Sequence, residues 1–162
     1  MTALAPDLLA CVLDREAVAR LAVIDDQKHP EVMPIVFARV GARLFSPIDG
    51  KPKKRGRLAR LRYIERCPRV GLVLDGYAAD WTQLWWIKLT ALASIAVGEH
   101  GEWEAAVAAL YAKYPQYQHT PLFQGEPTLI CFEIVDVRCW AAIGLASWSA
   151  SLANDAASAV QD

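Results

Sequence analysis

No stretch of this 162-residue chain supplies the ~18 to 20 consecutive apolar residues that cross a bilayer; even the run from Ala91 to Val97 is short and broken by Ser94. The first six residues, Met1 to Pro6, lack the basic flank and continuous apolar centre of a secretory signal. Cys11, Cys67, Cys131 and Cys139 form no C-x-x-C pair and have no histidine at ligand spacing, so the sequence offers no zinc site. They read as reduced, packed thiols of a cytoplasmic protein. The three histidines, His29, His100 and His119, lie far apart. There is no G-x-S-x-G elbow, no H-E-x-x-H and no G-x-x-x-x-G-K-[ST]. Self-sufficient hydrolysis is therefore not expected. If the protein is an enzyme, a cofactor carries the chemistry.

What is present is ample apolar material. Hydrophobic residues make up 54% and charged residues 22%, enough burial to offset ordering entropy in one domain of ordinary size. The formal charge of -1 conceals a strong asymmetry. From Lys51 to Arg69, nine basic residues stand against Glu65 alone, a local +8, while the remainder carries -9. A surrounding field of that sign opposes a polyanion, so the basic segment suits a small phosphorylated ligand and not nucleic acid. Within it, Ser46-Pro47-Ile48-Asp49-Gly50-Lys51-Pro52-Lys53-Lys54-Arg55-Gly56-Arg57 sets several cations in a proline-framed loop. Charge-assisted hydrogen bonds contribute about 1.5 to 3 kcal/mol each, so two or three such side chains hold a phosphate.

The hydrophobic pattern predicts a short first helix capped by Asp7, strands over 18–24 and 32–40, and a third strand over 44–46. Pro34 cannot donate to a ladder, which places its strand at an edge or a bulge and leaves nearby backbone free for a ligand. A cationic helix follows over 57–66, then strands over 69–77 and 84–97, a helix from Trp103 to Pro115, and a last strand over 128–137. Along 84–97, Trp85, Ile87, Leu89, Ala91 and Ala93 share one face; Trp86, Lys88, Thr90 and Leu92 share the other. Adjacent Trp85 and Trp86 must face opposite ways, so at least one leaves the barrel interior unless both faces are covered, and a dimer interface or a ligand would cover it. The pattern fits a mainly β, α+β fold: an antiparallel barrel of about six strands with peripheral helices, in a single domain over residues 1–142. The Ala/Ser-rich tail over 143–162 is expected to be partly disordered.

Arg20-Leu21-Ala22, Val32-Met33-Pro34-Ile35-Val36-Phe37, Asp49-Gly50-Lys51-Pro52-Lys53, Leu58-Ala59-Arg60-Leu61-Arg62 and Pro68-Arg69-Val70 together resemble the pyridoxamine-phosphate-oxidase-like split-barrel proteins. Asp75-Gly76-Tyr77, Asp80-Trp81 and Leu84-Trp85-Trp86 are most similar to the branch of probable deazaflavin-dependent enzymes. The resemblance implies a homodimer of split β-barrels binding FMN or a deazaflavin (coenzyme F-420) at the subunit interface. It implies that the ring lies along Met33, Pro34, Ile35 and Val36, that the phosphate meets Ser46, Lys51, Lys53 and Arg57, and that Trp85 or Trp86 approaches from the second subunit. Ala141 stands where the family often has Arg, which argues against oxidase chemistry on pyridoxamine phosphate. The expected function is hydride transfer between a bound flavin-type cofactor and a small organic molecule, with a noncatalytic flavin carrier as the alternative. No catalytic residue follows from the sequence; Tyr77 is a proton donor by chemistry alone. The expected partners are a second copy and a small-molecule substrate, with no nucleic acid and no membrane.

Overall fold

The computed structural model describes residues 4–48, 56–123 and 125–158. Helix α1 (Pro6–Arg15) leads into strands β1 (Ala19–Ile24), β2 (Pro30–Ile35), β3 (Ala38–Val40) and β4 (Arg43–Pro47). Then come α2 (Gly56–Arg66), β5 (Arg69–Gly76), β6 (Trp85–Ala96), α3 (Trp103–Lys113), β7 (Leu129–Ala141) and α4 (Leu145–Ser158). All seven strands form one antiparallel sheet in the order β2-β1-β5-β6-β7-β4-β3.

The two edge strands, β2 and β3, are neighbours in the chain, separated by Val36 and Phe37 alone. Three Cα steps span at most about 11 Å, so the sheet curls until its edges nearly meet, without closing through ladder hydrogen bonds. This is a split barrel. The run over 32–40, expected as one strand, is therefore two strands on opposite edges. The physical reason lies at Pro34, which lacks an N–H, and at Phe37. The Phe37 N–H donates to the Tyr114 hydroxyl (3.0 Å), which also lies 2.7 Å from the Phe37 carbonyl and 2.8 Å from that of Ala17. A side chain thus takes the place of a neighbouring strand at the seam.

Strand alternation places Leu21, Leu44, Leu72, Leu74, Ile87, Leu89, Ile130 and Phe132 in the barrel interior, each almost wholly buried. A second cluster, with Phe45, Leu110, Tyr114, Leu122 and Leu129, lies under α3 on the outer side. In β7, Ala91 pairs with Ile134 but Thr90 pairs with Asp136, so Val135 is a bulged extra residue. The bulge keeps Ile134 and Val137 both on the core face. It lets β7 run to Ala141, four residues beyond the expected end.

One barrel end, where β6 begins and β7 ends, is covered by α1 and α4. The expectation of a partly disordered tail is corrected over 145–158. Leu145, Trp148 and Leu152 recur on one helical face, Trp148 and Leu152 are buried, and the intervening alanines favour helix. The cap of α1 is also corrected: Ala5 occupies it with Pro6 at the first helical position, and Asp7 sits in the first turn, where its charge complements the helix dipole. The opposite end is covered by α2, whose Ile64 is buried in the core.

Lys113, at the end of α3, donates to the Leu13 carbonyl (2.7 Å) in the last turn of α1, with its ammonium 3.9 Å from the centre of the Phe37 ring. Burial pushes its pKa down from 10.5 to about 8, against the opposing pull of Asp14 and Glu16. Between those values the unfolded chain binds more protons than the folded one, so unfolding free energy rises as pH rises from about 8 to 10.5. Partial exposure screens the effect to about 1 kcal/mol. Urea unfolding at pH 7.5 and pH 10 should show this gain in the wild type and not in Lys113→Met; equal pH dependence in both would contradict it.

Candidate functional site

Helix α2 is anchored by the β1–β2 turn. Arg62 and Arg66, one helical turn apart, both donate to the Asp26 carboxylate, and Arg66 also reaches the Asp25 carbonyl. The Asp26 carboxylate holds the Arg62 guanidinium above its ordinary pKa. Two cations of the basic segment are thus engaged within the chain. Lys51 and Lys53 lie outside the described residues, as does the side chain of Arg57. Ser46 is on β4, facing inward with Leu44 and Ile48, and is buried.

In β2, the edge position expected from Pro34 is found. Pro34 is exposed and points outward; Met33 and Ile35 point into the barrel, Ile35 being 5% exposed. Val36 packs on the cluster under α3. Contact between this stretch and a flat ligand therefore falls to Pro34 and the backbone, not to the Met33 and Ile35 side chains.

The two tryptophans part as strand alternation requires. The Trp85 indole packs on the core, stacks on Trp148 of α4 (ring centres 5.2 Å apart, planes at 25°) and lies over Gly76. A Cβ on Gly76 would stand 2.1 Å from its Nε1. The chain itself provides cover for Trp85. Trp86 points the other way, half-buried, with the Lys88 ammonium 4.6 Å from its ring centre and Trp140 opposite it on β7.

Trp86 belongs to the outer face of β2, β1, β5, β6 and β7. Its rows run Asp75, Trp86, Trp140; then Pro34, Arg20, Val73, Lys88, Arg138; then Val32, Ala22, Gly71, Thr90, Asp136. Large apolar side chains stand exposed there, with Val32 at 66% and Trp140 at 44%. Arg20 pairs with Asp75 and Arg138 with Asp136. Tyr77 and Trp81, beyond the end of β5, are exposed as well; Asp80 turns the chain between them, its carboxyl held below the usual range by the hydrogen bonds of Thr82.

Within one chain Pro34 shares the outer face with Trp86, one row away, whereas Ser46 lies apart from both. Ser46 is level with Ile130 and Ile95, and Ile95 is nine residues from Trp86 along β6, a separation of about 30 Å at the rise of a strand. The described phosphate-side residues stand at the α2 end, and Trp86 stands at the α1/α4 end.

A separate cleft of about 460 Å³, lined by Arg43, Ser94, His100, Glu102, Cys131 and Glu133 among others, opens beside the start of α3. The Arg43 guanidinium is held by Glu102 (2.9 Å), which raises its pKa, and approaches Glu133 (3.9 Å). Burial pushes the Cys131 thiol up. His100 Nδ1 accepts the Glu102 N–H (3.2 Å). Sequence reasoning missed this cleft, and no spacing signal marks it. Its residues come from β4, β6, β7 and the loop before α3, joined only by the sheet register. Among the described residues no group of three or more potential ligands could hold a metal.

No family model matches the chain. No curated protein matches it either. Solved structures do. The haem storage protein HutZ of Vibrio cholerae aligns at TM-score 0.65 and 17% identity, covering 86% of this chain and 95% of that one. An FAD-binding protein of Mesorhizobium loti aligns at 0.63 and 19%, covering 84% and 92%. A protein of Listeria innocua, named by homology as a pyridoxamine 5'-phosphate oxidase, aligns at 0.56 and 20%, covering 82% and 95%. At such identities the likeness speaks for architecture: this chain has the pyridoxamine-phosphate-oxidase-like split-barrel fold.

Proposed function

We propose that this chain is one half of a twofold dimer that binds FMN or a deazaflavin (coenzyme F-420) in a site shared by both chains, and that it passes a hydride between the bound ring and a small organic substrate. The separation of about 30 Å along β6 between the α2 end and outward-facing Trp86 carries the reading. Two chains packed through the exposed outer face would bring Trp86 of one to the α2 end of the other, and an isologous interface does so twice. The exposed Val32, Trp140 and half-buried Trp86 suit such an interface.

The donor chemistry fits a phosphorylated ring. Arg62 and Arg66 are engaged by Asp26, and the resemblance assigns the phosphate to Lys51, Lys53, Arg57 and Ser46. Pro34 and the backbone from Met33 to Val36 lie along the ring's edge, and Trp86 comes from the other chain. The cofactor, when bound, supplies hydride chemistry; the protein's part is orientation and exclusion of water. Tyr77 is 78% exposed, and no catalytic side chain is assigned. The four cysteines are free thiols, in keeping with a reducing cytoplasm. Among the described residues no helix is long and apolar enough to cross a membrane.

Haem is less suited. His100 accepts a backbone N–H at Nδ1, so in the neutral ring the proton sits on Nε2 and no lone pair faces iron there. His29 and His119 are exposed. A noncatalytic flavin carrier differs from the enzyme in one respect, turnover with candidate acceptors.

The direct test of the phosphate assignment is FMN and F-420 titration of Lys51→Ala/Lys53→Ala. Binding should weaken at least tenfold, a loss of only about 1.4 kcal/mol, with folding intact. An unchanged dissociation constant in a folded double variant would remove the basic loop from the site.

A further inference from the structure

On the outer face, Arg20 is neutralised by Asp75 and Arg138 by Asp136, but among the described residues no carboxylate pairs with Lys88. Its ammonium lies over the Trp86 ring instead, 4.6 Å from the centre. Lys88 sits in the middle of the sheet, between Val73 and Arg138 in register. If that face is covered by a second chain, Lys88 becomes a partly desolvated charge, which a nearby anion stabilises.

We infer that Lys88, held against Trp86, is a redox-tuning residue: it stabilises the negatively charged reduced form of a flavin-type ring stacked at Trp86. The inference rests on the shared-site reading above. For the isoalloxazine of FMN, two electrons and one proton would give a reduced monoanion, carrying one negative charge that the oxidised ring lacks. A cation within reach through the indole favours the reduced state and leaves oxidised-state binding nearly unchanged. Charge near the ring is one of the levers a protein has over such a cofactor.

The test compares dissociation constants of oxidised FMN and of dithionite-reduced FMN for the wild-type dimer, Lys88→Met and Lys88→Arg. Lys88→Met should lower the affinity for reduced FMN about tenfold relative to oxidised FMN, with a matching fall in the midpoint potential of the bound cofactor. Lys88→Arg, which keeps the charge, should restore most of the ratio; a merely structural role would shift both affinities together. A wild type that binds FMN but whose ratio Lys88→Met leaves unchanged overturns the inference alone. A wild type that binds neither FMN nor F-420 overturns the functional reading and this inference with it.

Discussion

Trp85→Glu and Trp86→Glu, adjacent substitutions of the same kind, are expected to fail in different ways. At Trp85 the change removes an indole stacked on Trp148 and packed on the core and leaves a carboxylate in its place. Truncating a fully buried tryptophan costs about 3 to 5 kcal/mol; Trp85 is partly buried, so it loses part of that, and a charge set against the core adds to it, together a large share of a domain's net stability. Trp85→Glu should express poorly or unfold well below the wild type. Trp86 faces outward, so Trp86→Glu should fold with a near-native melting temperature. Its carboxylate would fall in the proposed interface, raising the dimer dissociation constant at least a hundredfold, about 2.7 kcal/mol. Cofactor binding should fall with dimerisation. Sedimentation and thermal unfolding of the two variants read both outcomes. A stable, dimeric Trp86→Glu variant would exclude this face as the interface.

Deleting residues 143–162 should be nearly as damaging. Helix α4 contributes buried Trp148 and Leu152 to the core and gives Trp85 its stacking partner. Exposing the surface these side chains cover costs about 4 kcal/mol in burial, which for a domain of this size lowers Tm by about 10 °C. The shortened chain should also show increased tryptophan solvent exposure by fluorescence, since Trp85 loses its cover. An unchanged Tm would mean that α4 lies on the barrel without holding it.

These two predictions meet where the sequence was least legible. The core alternation of β6 could be read residue by residue, because period-2 alternation is local, and Trp85 and Trp86 separate as that period requires. Pro34 announced an edge strand for the equally local reason that it has no N–H to donate. The break between β2 and β3 was hidden, because it depends on Tyr114, which lies 77 residues from Phe37. The helix over 145–158 was obscured by its composition: small residues between Leu145, Trp148 and Leu152 resemble a tail until the seven-residue span is seen to place all three on one face. Alternation fixes that the two tryptophans part, but not which of them leaves the barrel interior. Trp85 packs on the core beneath Trp148 of α4, and Trp86 is the one that faces outward.

The site divided in the same manner. The concentration of positive charge between Lys51 and Arg69 is a matter of counting, but its partition is not. Asp26 engages Arg62 and Arg66 across 36 and 40 residues, and nothing in the local pattern marks that contact. Lys88 gains significance only when the outer face is laid out and its neighbours' charges are found to be paired. The cleft around Arg43 and Glu102 likewise exists only in three dimensions, and its central ion pair already satisfies both charges.

The central claim is that each cofactor site draws its basic loop from one chain and its tryptophan from the other. Mixing two binding-deficient proteins tests this most directly: Lys51→Ala/Lys53→Ala and Trp86→Ala, each dimeric by itself, are combined, allowed to exchange subunits, and titrated with FMN or F-420. In a mixed dimer one site then carries both lesions and the other carries none, so the account predicts that wild-type affinity returns at half the sites of the mixed species. If the loop and the tryptophan serve the same chain's site, or if Trp86 takes no part in binding, no native site is created by exchange and the mixture binds as the sum of its two parents, which would contradict the shared site.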